Sequence, residues 1–149
     1  MSGNRIYRGP MHRQPETVSD KTVAAALLPG TFVTEGATFA QATTPVGLVR
    51  LLANRDFYSL GALDATDPQL VPYVSGETAV AYILEPGQRY QAAAAAATYT
   101  FGQALTIAAA GRVAAATTGN VVIGFCMQAG AAAAGALIDI ELANRYAQP

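Results

Sequence analysis

Turn-forming residues interrupt this chain too often for long helices. From Thr22 onward the breaks fall at Pro29-Gly30, Glu35-Gly36, Pro45 to Gly47, Asp67-Pro68, Ser75-Gly76, Pro86-Gly87, Gly111, Thr118-Gly119-Asn120 and Gly130. Runs of about 5 to 9 residues lie between them, the length of strands in an all-β sandwich or barrel. Ile138, Ile140 and Leu142 alternate with Asp139 and Glu141, the period-2 pattern of a half-buried strand. Val121, Ile123, Phe125 and Met127 fall on one side of a second run, with Val122, Gly124, Cys126 and Gln128 on the other. Thr78 to Leu84 and Thr98 to Ile107 are similarly rich in β-branched and aromatic residues. The pattern predicts an antiparallel β-sandwich or barrel, jelly-roll-like, with about eight strands in one domain over residues 22–149. No internal repeat of fixed period is visible.

Two stretches stay open at this level. Leu48, Leu51 and Leu52 fit a helical turn, but Val46 to Leu52 also fits a strand. The Ala92–Ala97 run has high helix propensity, yet six residues barely exceed the nucleation cost, so strand or tight packing is expected. Alanine makes up 32 of the 149 residues, against 34 for Val, Ile, Leu and Phe together. Much of the apolar surface is therefore methyl groups, which let backbones approach closely and lose no side-chain entropy on burial. The alanine-rich patches 92–97, 108–116 and 129–136 are candidate subunit contacts, or else loops and thin core layers. Val121 to Ile138 is the longest apolar stretch, but Gln128, three glycines and six alanines give it too little transfer energy for a spanning helix.

Residues 1–21 differ from the rest. They hold Arg5, Arg8, Arg13 and Lys21, the single histidine His12, and almost no apolar period. They read as an extended N-terminal arm without a core of its own, either a disordered tail or a docking element that orders on a partner subunit's surface. No apolar stretch follows that would make a signal peptide. Arg5, Ile6, Tyr7, Arg8 and Arg13 are the candidate contact residues, since arginine and aromatic side chains commonly anchor interfaces.

Residues for catalysis are scarce. A nucleophile needs a base that a third group orients, and His12 lies in the arm with nothing to hold it. Cys126, between Phe125 and Met127, reads as a small core hydrophobe and has no partner cysteine for a disulfide or zinc cluster. Asp56, Asp64, Asp67, Glu77 and Glu85 are scattered over turns, without the density of a calcium loop. No phosphate-binding glycine loop occurs. Leu28 to Phe39 has the paired glycine turns of lipoyl and biotinyl carriers, but the only lysine is Lys21, far from any hairpin tip. A net charge of −1 excludes a polybasic nucleic-acid binder. These features lead to a non-enzyme with no cofactor or metal and no nucleic-acid or membrane partner.

Pro29-Gly30 after a polar arm, Leu105 to Ala116 with Gly111-Arg112-Val113, Gly119 to Phe125, and Gly135 to Leu142 together form a pattern over roughly residues 22–143. It resembles the small capsid decoration (cement) proteins of tailed bacteriophages. Ala92–Ala97 and Leu48–Leu63 have no place in that pattern. The resemblance implies a virion protein that binds the major capsid protein on the outside of an assembled head, reinforces it, and self-associates as a dimer or trimer. The alternative is a fibre or adhesin subunit, or a carbohydrate-binding sandwich using Tyr58, Tyr73, Tyr82, Tyr90 and Tyr99, which otherwise serve as packing.

Overall fold

The computed structural model describes residues 6–54 and 68–149. Twelve strands lie among them, and every pairing between strands is antiparallel. The first sheet contains β1 (Thr17–Thr22), β2 (Phe32–Glu35), β3 (Phe39–Gln41), β4 (Val49–Leu52) and β5 (Thr78–Ile83), in the order β1-β5-β4-β2-β3. The second contains β6 (Arg89–Ala93), β8 (Ala104–Ala108), β9 (Arg112–Ala115), β10 (Val121–Cys126) and β12 (Leu137–Ala147), in the order β6-β12-β10-β8-β9. A small ribbon pairs β7 (Ala97–Tyr99) with β11 (Gly130–Ala132). The expected all-β antiparallel architecture is present. The count exceeds the eight expected because three-residue strands such as β3, β7 and β11 leave little trace in the sequence. Each sheet is built from one half of the chain, whereas a jelly roll passes strands alternately between its sheets.

The open stretches resolve as strands. Val49–Leu52 is β4, and in the alanine run Ala92 and Ala93 end β6 and Ala97 opens β7, with Ala94–Ala96 as the connection between them. Val121 to Ile138 divides into β10, β11 and the start of β12, and among the described residues no helix is long and apolar enough to cross a membrane. The alternation expected for β10 is disturbed. Ile123 and Cys126 join the same core, because the register against β12 shifts between Val122 and Gly124.

The two sheets have one topology written twice. In each half the first strand pairs with the last, then come the fourth, the second and the third. The connections agree bond for bond. Gly76 N–H donates to the Val23 carbonyl (2.9 Å) as Gly135 N–H does to that of Ala94 (2.8 Å). Ala24 N–H donates to Phe39 (2.9 Å) as Ala95 N–H does to Val113 (2.8 Å), so each sheet curls until its first strand's continuation touches its far edge. Leu52 N–H reaches Thr31 as Cys126 N–H reaches Gln103, and Ala42 N–H reaches Phe32 as Ala116 N–H reaches Ala104. The Leu27–Tyr73 bridge occupies the place of the β7–β11 ribbon. A repeat that the sequence does not display is therefore present in the fold. The first copy is longer between β4 and Gly76, the stretch that includes residues 55–67.

The first sheet is buried on both faces. Val33, Phe39, Leu52, Ala79 and Ala81 join Val23, Leu27 and Tyr73 in one core inside its curl. On its other face Tyr82, Leu51 and Phe32 form a cross-strand row, with Ala42 beside it, that packs on the second sheet's Tyr90, Ala92, Leu105, Ile107, Ile138, Ile140 and Leu142. The matching row on the second sheet is Glu141, Phe125 and Ala104, only half-buried, with Arg89 paired to Glu141 at 3.1 Å.

Residues 1–21, expected as a coreless arm, are corrected where described. Ile6 and Tyr7 are 0% and 7% exposed in the core shared by both sheets. Tyr7 bridges Tyr90, Gln91 N–H donates to Ile6 (2.7 Å) and Arg8 N–H donates to Arg89 (2.9 Å). After a loop, residues 17–22 are the edge strand β1. The misreading has a simple cause. Two apolar residues make no period, but they are enough to plug a gap between sheets.

Candidate functional site

Of the five candidate contact residues, Arg5 lies outside the described residues. Ile6 and Tyr7 are consumed by the chain's own core, so they offer no apolar anchor to a partner while seated there. The Tyr7 ring stands 5.6 Å from Tyr90 and 6.2 Å from Tyr82 by centroid, a three-tyrosine cluster joining the N-terminal segment to both sheets. Its hydroxyl donates to the Arg13 carbonyl and closes the loop between residues 7 and 13. Arg8 is half-buried with Nε 3.6 Å from Asp139 Oδ1. Arg13 is exposed. Tyr7, Arg8 and Arg13 thus come together on one cleft of about 780 Å³, which Glu16, Glu85 and Arg89 also line. With Arg8 and Arg89 beside carboxylates, the cleft is a mixed-charge surface rather than a cationic one.

Three further regions stand out on the molecule. Glu35 bridges Arg50 (Nε–Oε2 2.8 Å) and Lys21 (Nζ–Oε1 3.9 Å), tying β2 to β4 and β1. A cavity of about 200 Å³ opens at one end of the sandwich between Phe32, Val49, Ile107, Ile123 and Leu142, where Ala143 to Arg145 bulge from the β10 pairing. The Arg145 guanidinium donates to the Pro45 carbonyl there (3.2 Å). The third region was missed by sequence reasoning: Leu28, Leu70, Val74 and Phe101 are 44%, 61%, 63% and 67% exposed, and Leu28 and Leu70 line a groove of about 170 Å³ with Ala93, Ala110 and Gly135 of the alanine patches. The patches themselves divide. Ala92 to Ala94 are buried, while Ala96, Ala97, Ala131, Ala133 and Ala134 are exposed. Exposed Leu, Val and Phe have no sequence signature that separates them from core residues.

Cys126 is fully buried, with its thiol 3.0 Å from the Gln128 carbonyl, and His12 is exposed in the N-terminal loop. Among the described residues no three His, Cys, Asp or Glu side chains gather as metal ligands do. The tyrosines considered for a sugar platform are largely packing. Tyr73, Tyr90 and Tyr99 are at most 4% exposed, and their hydroxyls donate to the Ala53 carbonyl (2.9 Å), Gln88 Oε1 (2.8 Å) and the Ala95 carbonyl (2.7 Å). Tyr82 is half-buried, and Tyr58 lies outside the described residues. Burial, then the neighbouring Tyr82 and Tyr7 and Glu85, push the Tyr90 hydroxyl well above the usual tyrosine range. Burial, then Cys126, raises Tyr99.

No known family matches the sequence, and no curated protein is similar to it in sequence. The fold is similar to a solved structure, the N base of the head fibre protein gp8.5 of bacteriophage phi29. The TM-score is 0.52 at 11% identity, over 86% of this chain and 95% of that one. The likeness is one of fold.

Proposed function

We propose that this chain is a non-enzymatic structural protein of a tailed-bacteriophage virion, seated on the outer surface of the head against the major capsid protein as a decoration (cement) protein. The observation that carries the reading is the fold shared along most of both chains with a phage head fibre base. Composition supports it: a low charge content and an alanine-rich surface suit broad protein contacts better than a solvated exterior. The same likeness favours a second reading, in which the chain is the base of a head fibre. The two differ in what the bound protein does to the shell.

Heads purified without the protein provide the test. Added protein should sediment with them, saturate at fixed lattice positions in cryo-electron micrographs, and raise the temperature at which heads rupture. Occupancy at lattice positions with unchanged rupture temperature would favour the fibre base. Failure to bind heads at all would overturn both readings.

A further inference from the structure

The groove lined by Leu28 and Leu70 holds one charged side chain, Arg112, at the start of β9. Of the half-buried arginines, Arg8 and Arg50 each face a carboxylate, whereas Arg112 has none among the described residues. The acid of the neighbouring corner, Glu77, has its carboxylate on the Val74 N–H (2.7 Å) and is not part of the groove's lining. Backbone fixes where Arg112 emerges. Ala110 has φ 63° and ψ 24°, the left-handed region that alanine rarely adopts. A Cβ on Gly111 would run into the Phe32 backbone and the Thr31 side chain, and Gly111 N–H donates to the Ala42 carbonyl (2.8 Å). The turn before Arg112 is thus wedged onto the first sheet, and strain held in this way collects at functional sites. The guanidinium itself lies over Gly135, 3.5 Å from where a Cβ would stand. Buried Gln69, donating to Gln91, adds a fixed amide to an otherwise largely apolar wall.

We propose that this groove is where the shell protein docks, taking an extended segment that sets a carboxylate on Arg112 and an apolar side chain against Leu28 and Leu70. The inference rests on the proposed function for the partner's identity and on the groove for its chemistry. A half-buried guanidinium without an acceptor lacks hydrogen bonds that a ligand can supply, and its planar fork matches a carboxylate. A nucleic acid is the wrong occupant, because a phosphate backbone needs several cations and the groove has one. A free small carboxylate is also wrong: one that fits about 170 Å³ would leave exposed Leu28 and Leu70 in water, which a peptide crossing the rim covers.

Two measurements keep this separate from the function it rests on. The first needs no heads: the Arg112 Nε–Hε resonance of the full chain, titrated with a blocked Leu-Asp-Leu peptide and with Leu-Asn-Leu. The Asp peptide should shift it saturably and the Asn peptide should not. The second is binding to heads purified without the protein. Arg112→Gln and Leu70→Asn, each checked for folding by circular dichroism, should weaken it at least about tenfold. Leu48→Asn, at a comparably exposed leucine outside the groove, should bind as the wild type does. Heads that bind Arg112→Gln as tightly as wild type would overturn this proposal and leave the function standing. An equal response to both peptides, or none, would overturn the carboxylate chemistry, as would tighter binding of inorganic phosphate at Arg112. Selective Asp-peptide binding by a protein that ignores heads would overturn the shell protein as the partner.

Discussion

Tyr90 shows how one buried hydroxyl couples this fold to pH. Its ring is fully buried, its hydroxyl donates to Gln88, and burial holds it protonated far into alkali. A group whose pKa is raised by folding stabilises the native state fully below its unfolded value, here about 10, and loses that contribution as pH climbs towards the folded value. The Tyr90 contribution to stability should thus be constant through neutrality and fall above about pH 10, by up to roughly 1.4 kcal/mol per pH unit. Denaturant titrations at stepped alkaline pH, followed by phenolate absorbance, check this. Ionisation of Tyr90 itself, read as the phenolate absorbance that a Tyr90→Phe variant lacks, preceding unfolding would contradict it. Glycine acts at the same scale. A Cβ on Gly124 would run into the Glu141 carbonyl of the paired strand, so glycine there is what lets β10 lie close to β12. The sequence reading placed Gly124 on a strand face but had no means of seeing the carbonyl opposite.

At the scale of elements, the N-terminal segment behaves as a clasp rather than a tether. Residues 6–8 lie along β6, the edge strand of the second sheet, and residues 17–22 are themselves the edge strand β1 of the first, so the segment is tied to both sheets and covers the edge of the second. Ile6→Ala should therefore cost about 2–5 kcal/mol, the range for truncating a fully buried large aliphatic side chain. Equilibrium unfolding in urea measures it. A loss below about 0.5 kcal/mol would mean that the segment is not seated in solution. Alternation revealed strands such as β12 because each has one wet face. It was silent on the clasp, where isolated apolar residues act by plugging, and on β7 and β11, where alanine and glycine carry no period.

At the scale of the molecule, the duplication stayed hidden because equivalent positions trade volume. Phe39 answers to Val113, Leu52 to Cys126, and Ala79 and Ala81 to Ile138 and Ile140, so each core fills with a different distribution of the same kinds of side chain. Hydrogen bonds kept the symmetry that side chains lost. The two halves still share one core, since Phe32, Val49 and Leu51 of the first pack with Ile107, Ile123 and Leu142 of the second. Unfolding should accordingly be a single transition, with calorimetric and van't Hoff enthalpies equal. Two resolved transitions would show that the halves are independent. The unequal cross-strand rows carry a last implication. Stacking like sheet on like sheet is a rule that can be applied again and again, as in a solenoid, and such a rule needs a terminator. The row that is Tyr82, Leu51 and Phe32 in the first sheet is Glu141, Phe125 and Ala104 in the second. A third layer would have to strip water from the Arg89–Glu141 pair and would find a methyl group where the first sheet has a phenyl ring. The stack ends at two layers, and the chain is shielded from growing into a fibril through that face.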